Sequence, residues 1–148
     1  MNRDFADMLS ALSAAGVEFL VVGAYALAAH GLPRATGDID IWVRPTEENA
    51  RRVWVALQTF GAPLFDLQIA DLLRHDTVFQ IGVAPARIDI MTGITAVTFE
   101  NAWREHVDVT VAERVVPVIG LADLLKNKEA TGRPRDQADA VWLRSRMR

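Results

Sequence analysis

Apolar positions recur with two different periods along the chain, and each period predicts one kind of element. Phe5, Leu9 and Leu12 follow helical spacing, which predicts an amphipathic helix over residues 4–15. Between residues 38 and 43, apolar and polar side chains alternate, which predicts a strand that is buried on one face. The chain therefore combines amphipathic helices with half-buried strands.

The same criteria, with glycine and proline as breaks, predict the remaining elements. The further predicted helices cover 24–30, 45–60, 69–75, 99–106, 121–131 and 134–147, and the further strands cover 17–22, 78–82, 87–91, 107–111 and 114–119. Because helices and short strands interleave throughout, we predict an α/β (α+β) fold, a mixed sheet flanked by helices with two closing helices. No linker or repeat divides the sequence, so we expect residues 1–148 to form a single domain.

Composition excludes several classes of protein. With 51% apolar and 24% charged residues the balance is that of a globular chain rather than a disordered one. The absence of cysteine excludes disulfides, thiolate zinc sites and iron–sulfur clusters, and it favours a cytoplasmic location. The longest apolar stretch, Phe19–Ala29, has 11 residues, fewer than the roughly 20 that a membrane helix needs. We therefore expect no membrane partner.

The charge of the chain is distributed unevenly. Residues 126–148 contain seven basic and three acidic residues, a net charge of +4, whereas the other 125 residues contain nine basic and sixteen acidic ones, a net charge of −7. A basic tail on an acidic body suggests that one part meets an anion while the other holds carboxylates for a different purpose. The alternative is a solvated, arginine-rich helix with no ligand.

Three aspartates suggest chemistry. On a strand, residues i and i+2 share a face, so Asp38 and Asp40 project together, about 7 Å apart. Asp89 lies on a second predicted strand, where Ile88 and Ile90 face the core. Three carboxylates on one sheet face supply the oxygen ligands that Mg²⁺ prefers, and two such ions suit phosphoryl or nucleotidyl transfer. The alternative is three acids on an exposed face that contact only water.

A glycine turn precedes these aspartates. Gly23 and Ala24 connect the predicted strand 17–22 to the next helix, whose first N–H groups and dipole favour an anion. Gly23 lets a phosphate approach the backbone closely. The segment matches neither the P-loop nor the dinucleotide-binding glycine motif, so a plain tight turn is the alternative.

These motifs follow one another in a specific order. The chain has Val21-Val22-Gly23-Ala24, thirteen further residues, Asp38-Ile39-Asp40-Ile41, and then Asp89 on a later strand. This order resembles the nucleotidyltransferase superfamily of DNA polymerase beta. The wider segment 23–40, which includes Arg34 and Thr36, and the tail segment 124–139 are similar to the small bacterial AbiEii-type group of that superfamily.

The resemblance implies a role for each matching residue. It implies that Asp38, Asp40 and Asp89 are catalytic and bind Mg²⁺ or Mn²⁺, two ions in all, with Asp89 also accepting the proton of the acceptor. It assigns the nucleotide's phosphates to the Gly23–Ala24 backbone and to Arg34, Thr36 and Lys128. Lys126 cannot face the same site as Lys128, because residues i and i+2 on a helix diverge by about 200°. Position 24 departs from the family pattern, since Ala24 lacks the usual side-chain hydroxyl.

The function implied by the resemblance is transfer of a nucleoside monophosphate from an NTP to an acceptor hydroxyl on RNA, protein or a small molecule. A role in a toxin–antitoxin pair, with an antitoxin or a second copy of the chain as protein partner, fits the same group. The alternative is a nucleotide-binding or partner-binding module of the same fold with little activity, which the missing hydroxyl at Ala24 favours. A third hypothesis, an RNA-binding protein that uses the basic tail, predicts RNA binding with a steep dependence on salt.

Overall fold

The computed structural model describes residues 1–34, 37–83, 86–111 and 113–147, and helices and strands interleave in them as the sequence predicts. The strands of this described part are β1 (Phe19–Val22), β2 (Asp38–Val43), β3 (Val78–Ile81), β4 (Arg87–Met91), β5 (Val107–Val111) and β6 (Arg114–Val118). The helices are α1 (Arg3–Ala14), α2 (Gly23–Ala29), α3 (Glu47–Phe60), α4 (Phe99–Arg104), α5 (Leu121–Thr131) and α6 (Pro134–Arg146), with a 3₁₀ helix at Ile69–Leu73. Predicted and observed ends differ by at most two residues, so the predicted elements and fold class are confirmed.

The strands form one mixed sheet in the order β3-β4-β2-β1-β6-β5. β2 runs parallel to β4 and antiparallel to β1, and β1 runs parallel to β6. In this register Asp40 lies opposite Asp89 on one side and opposite Val22 on the other. Residues in register on neighbouring strands point to the same face, so the pairing brings the two aspartates together.

The core lies where α1 and α3 pack on the sheet. On α1 the apolar positions predicted from helical spacing are fully buried, and Asn2 caps the helix by accepting a 2.7 Å hydrogen bond from the Asp4 N–H. Leu20 and Ile41, on the two central strands, are completely inaccessible to solvent. This apolar centre holds β1 and β2 rigidly, and polar side chains, Asp38 and Asp40, lie in the first half of β2.

The last two helices form a hairpin. Gly132 ends α5 in the left-handed conformation (φ +73°), and Pro134 begins α6 at a position where no backbone N–H is needed. His30, at the end of α2, donates a hydrogen bond from Nε2 to the backbone oxygen of Ile119 at 2.7 Å, just before α5. The hairpin is thereby attached to the region where β1, α2 and β2 meet.

Among the described residues, no helix combines the length and the apolar character needed to cross a bilayer.

Candidate active site

A cavity of about 370 Å³ lies where β1, β2 and β4 face the α5–α6 hairpin. Seven residues predicted for the site line it: Gly23, Ala24, Arg34, Asp38, Asp40, Asp89 and Lys128. Six residues to which the sequence assigned no site role also line it: Leu27, Arg87, Arg133, Arg135, Asp136 and Asp139. Thr36, the remaining prediction, lies outside the described residues. The structure thus gathers segments from across the chain around one space.

The floor of the cavity is the acidic face of β2 and β4. Asp38 and Asp40 alternate with buried Ile39 and Ile41, as the period of the strand predicts. Asp89 is only 7% exposed, so it is not an acid on an open face that contacts only water. A carboxylate is rarely buried to this extent without a partner. These three residues form what we call the aspartate floor.

Burial and the neighbouring carboxylates of the aspartate floor together change the ionisation of Asp40. Burial is the largest influence, followed by the negative charge of Asp89, a hydrogen bond between the Asp40 and Asp89 carboxyl groups, and the charge of Asp38. Together they raise the pKa of Asp40 to about 6, although Arg87 acts in the opposite direction. The floor is therefore a place where a further positive charge is stabilising.

Arg87 is a cation that reaches the aspartate floor from β4. Its Nε donates to Asp89 Oδ1 at 2.9 Å, and its Nη2 lies 3.2 Å from Asp89 Oδ2 and 3.1 Å from Asp38 Oδ2. The hydrogen bond and the charge of Asp89 raise the pKa of the guanidinium. Sequence reasoning missed this residue. The signal was present, since Arg87 and Asp89 are i and i+2 on one strand and must share a face.

Gly23 touches the aspartate floor from the β1–α2 turn. Its backbone is left-handed (φ +67°), and a Cβ added to it would lie 2.2 Å from Asp40 Oδ2. The left-handed conformation would strain any other residue at this position, and its Cβ would have to displace the Asp40 carboxylate. The glycine turn therefore fits closely around the Asp40 carboxylate, and the backbone of Gly23 and Ala24 lines the cavity.

The wall opposite the floor is formed by alternating charges from α5 and α6. Lys128 Nζ lies 2.9 Å from Asp136 Oδ1 and 3.5 Å from Asp139 Oδ2. Arg34 forms an ion pair with the same Asp139, which is 1% exposed. Lys126 is exposed and does not line the cavity. Of the two lysines, Lys128 is therefore the one that faces the site, as predicted.

Asp136 is held by three donors. Thr131 Oγ1 donates to it at 2.6 Å, Lys128 at 2.9 Å and Arg133 Nε at 2.8 Å. Burial alone would raise the pKa of Asp136, but these hydrogen bonds and the charges of Lys128 and Arg133 outweigh it and lower the pKa. Asp136 lies in the first turn of α6 and pairs with both Arg133 and Lys128, so it anchors the wall.

The oxygen donors of the aspartate floor fit a divalent metal ion by their chemistry. Carboxylate oxygens are the ligands that Mg²⁺ and Mn²⁺ prefer, and a cation would offset the charges of Asp89 and Asp38, which add to burial in raising the pKa of Asp40. The side chains are not already arranged as a metal cage. Within the part of the chain that the structure describes, no cluster of three or more His, Cys, Asp or Glu has that arrangement, and Arg87 engages oxygens of Asp38 and Asp89 instead.

Solved structures with the same fold include an adenylyltransferase and a candidate nucleotidyltransferase. The chain superposes on a candidate nucleotidyltransferase from Thermotoga maritima with a TM-score of 0.64 at 17% identity, covering 97% of this chain and 92% of that one. It superposes on the lincosamide antibiotic adenylyltransferase LnuA, lincomycin-bound, with a TM-score of 0.62 at 13% identity, covering 98% and 97%. For the antibiotic-resistance factor ANT(2'')-Ia the TM-score is 0.61 at 12% identity, covering 95% and 80%.

At 12–17% sequence identity, the superpositions show that these proteins share a fold with this chain. No model of a protein family matches the sequence, and no curated protein matches it. The fold predicted from the sequence motifs, a nucleotidyltransferase-like mixed sheet flanked by helices, is confirmed by both the sheet topology and the superpositions.

Proposed function

We propose that the protein transfers a nucleoside monophosphate from an NTP to an acceptor hydroxyl. The observation that carries this proposal is the aspartate floor, in which Asp40 lies opposite Asp89 and Asp38 lies two residues before Asp40 on the same strand, in a cavity that Lys128, Arg34, Arg133 and Arg135 also line. Negative oxygens on one side suit a metal-bound triphosphate, and cations on the other suit its phosphates. The superpositions on nucleotidyltransferases agree with this reaction class.

In the proposed reaction, the acceptor oxygen forms a bond to the α-phosphorus while the bond from that phosphorus to the bridging oxygen of the β-phosphate breaks. Pyrophosphate leaves, and the hydroxyl proton passes to a carboxylate oxygen of Asp89. Lys128 and Arg34 hold the phosphates, and the Gly23–Ala24 backbone lies close to them. Catalysis is then mainly positioning and charge neutralisation.

A divalent ion is part of the proposal. Asp38, Asp40 and Asp89 would hold Mg²⁺ or Mn²⁺, which supplies charge neutralisation on the phosphates and lowers the pKa of the attacking hydroxyl. The resemblance implies two ions. The chain's own task is to present these oxygens from rigid strands, which the buried Ile39, Ile41, Ile88 and Ile90 ensure.

The acceptor class is open to experiment. Arg133, whose side chain is 74% exposed, and Arg135 line the cavity at its outer side, which suits an anionic acceptor such as RNA. LnuA is a lincosamide adenylyltransferase, so a small-molecule acceptor is a second proposal for this chain. A toxin–antitoxin role in the cytoplasm, with an antitoxin or a second copy as partner, rests on the AbiEii-type sequence motifs.

The test uses each of four α-³²P-labelled NTPs with Mg²⁺ and separate pools of cell RNA, protein and small molecules. We expect the wild-type protein to label one pool and Asp38→Ala/Asp40→Ala to label none. Asp66→Asn, an exposed acid outside the cavity, is the control and should retain full labelling. If the double variant labels the same material as the wild type, or neither labels anything, the proposed transfer is wrong.

A second candidate is a nucleotide-binding module with little activity. Ala24 favours it, because the position offers no hydroxyl to a triphosphate. Isothermal titration with NTPs, with and without Mg²⁺, separates the two candidates. Binding that needs no metal and leads to no labelling supports the module, whereas binding that requires Mg²⁺ together with labelling supports the enzyme.

A further inference from the structure

Arg87 contacts the oxygens that a metal ion would use. Its guanidinium is within 3.2 Å of both Asp89 oxygens and within 3.1 Å of Asp38 Oδ2. The strand register makes this contact systematic, because Arg87 lies directly opposite Asp38 on the neighbouring strand and two residues before Asp89 on its own. The arrangement is therefore built into the sheet and does not depend on a loop.

Three of the other cations that line the cavity are engaged elsewhere, and one of them is Arg133, which pairs with Asp136. Lys128 pairs with Asp136 and Asp139, and Arg34 pairs with Asp139, all at the α5–α6 wall. Arg87 is different, because its side chain contacts the acids of the floor, lines the cavity and is 32% exposed. A guanidinium at this position offsets the repulsion between the carboxylates without being buried itself.

We infer that Arg87 is a built-in counter-ion that competes with a divalent cation for the Asp38 and Asp89 oxygens. This inference rests on the metal site of the proposed function. A hard cation needs the lone pairs that the guanidinium engages, and two positive charges this close repel one another. In the free protein Arg87 therefore keeps metal affinity low.

A bound nucleotide would favour the metal ion over Arg87 in the competition for the Asp38 and Asp89 oxygens. The planar guanidinium matches phosphate oxygens as well as it matches carboxylates, and Arg87 lines the cavity in which the triphosphate is proposed to bind. A bound triphosphate offers Arg87 a second anionic partner and frees the aspartate oxygens for metal. Metal and nucleotide binding are then positively coupled, each strengthening the other.

The test measures metal alone, on the nucleotide-free protein. Mn²⁺ is titrated into wild type, Arg87→Gln and Arg74→Gln, and free Mn²⁺ is followed by electron paramagnetic resonance. Arg74 is an exposed arginine that pairs with Asp76 and does not line the cavity, so it is the matched control. We expect Arg87→Gln to bind Mn²⁺ about tenfold more tightly than wild type, about 1.4 kcal/mol, and Arg74→Gln to be unchanged.

Two further variants locate the effect. Arg87→Gln/Asp89→Asn should not bind Mn²⁺ more tightly than the wild type, because Asp89 is one of the carboxylates for which Arg87 and the metal compete. Arg87→Lys keeps a positive charge on the same strand position and should gain much less than the glutamine variant. Far-ultraviolet circular dichroism and urea unfolding establish that each variant is folded before titration.

Several results would overturn the inference. Equal or weaker Mn²⁺ binding by Arg87→Gln refutes it, and so does a gain that survives the Asp89→Asn change. These outcomes are distinct from failure of the proposed function. If the wild type labels an acceptor pool but Arg87→Gln binds Mn²⁺ no more tightly, only the counter-ion inference is refuted. If Arg87→Gln binds Mn²⁺ more tightly but no acceptor pool is labelled, the transferase proposal is refuted and the counter-ion inference is supported.

Discussion

Replacing Gly23 by alanine perturbs the protein in two ways that the structure separates. The residue is left-handed (φ +67°), so any Cβ strains the backbone, and that Cβ would lie 2.2 Å from Asp40 Oδ2. Gly61 is also left-handed (φ +87°), but a Cβ there meets nothing within 4 Å. Gly61→Ala therefore measures the backbone strain alone, and the difference between the two variants measures the contact with Asp40.

The expected magnitudes follow from these contacts. A left-handed non-glycine residue costs roughly 1–2 kcal/mol, of which about 0.4–1 kcal/mol is returned because alanine restricts the unfolded chain. Gly61→Ala should thus cost about 1 kcal/mol. Overpacking of a well-packed site costs about 1–3 kcal/mol more, so Gly23→Ala should cost about 2–4 kcal/mol in the free energy of unfolding.

The assay is urea unfolding of a double-mutant cycle. Asp40→Ala removes the carboxylate with which the new Cβ collides, so Gly23→Ala should cost about 1–3 kcal/mol less in that background than in the wild type. Additivity within about 0.5 kcal/mol would refute the steric explanation. A cost of Gly23→Ala no greater than that of Gly61→Ala would refute it independently.

Three further predictions concern the charges of the cavity. In EDTA, the free energy of unfolding should fall as pH rises from about 4 to about 6. The reason is that the pKa of Asp40 is raised to about 6 in the folded protein, so the folded state binds this proton more tightly than the unfolded state does. Asp40→Asn should flatten the slope of the free energy of unfolding across that range. Asp139→Ala leaves Arg34 and Lys128 without this carboxylate and should lower the free energy of unfolding by about 3 kcal/mol. Glu129→Ala removes one member of an exposed pair and should cost less than about 1 kcal/mol, so equal urea midpoints for the two variants would contradict this prediction. Lys128→Met should weaken NTP binding at least about tenfold by calorimetry, since it also leaves two carboxylates facing the phosphates, and Lys126→Met should not.

Local periodicity was sufficient to predict the elements and the acidic face. The alternation in β2 placed Asp38 and Asp40 on one side because adjacent apolar residues are buried, which is a property of a single strand. The α5 periodicity likewise separated Lys128 from Lys126. These predictions needed no knowledge of which strands are neighbours.

The ionic partners could not be predicted in this way. Arg87 reaches Asp38 because β2 and β4 pair in parallel with these two residues opposite, and nothing in either strand's own pattern specifies that register. The pairing of Arg34 with Asp139 depends on where the α5–α6 hairpin docks. Tertiary packing, not local propensity, determines both contacts.

The parallel pairing of β1 with β6 has a consequence for how the protein folds. Val21 pairs with Val118, so this interior junction of the sheet closes only after the chain as far as β6 is available, and closure over such a separation is slow. The same step brings Ile119 to His30 and positions the hairpin that carries Lys128. A chain halted before this step has Asp38, Asp40, Asp89 and Arg87 on β2 and β4 but lacks the wall formed by α5 and α6. The complete lining of the cavity therefore arises late, together with completion of the sheet.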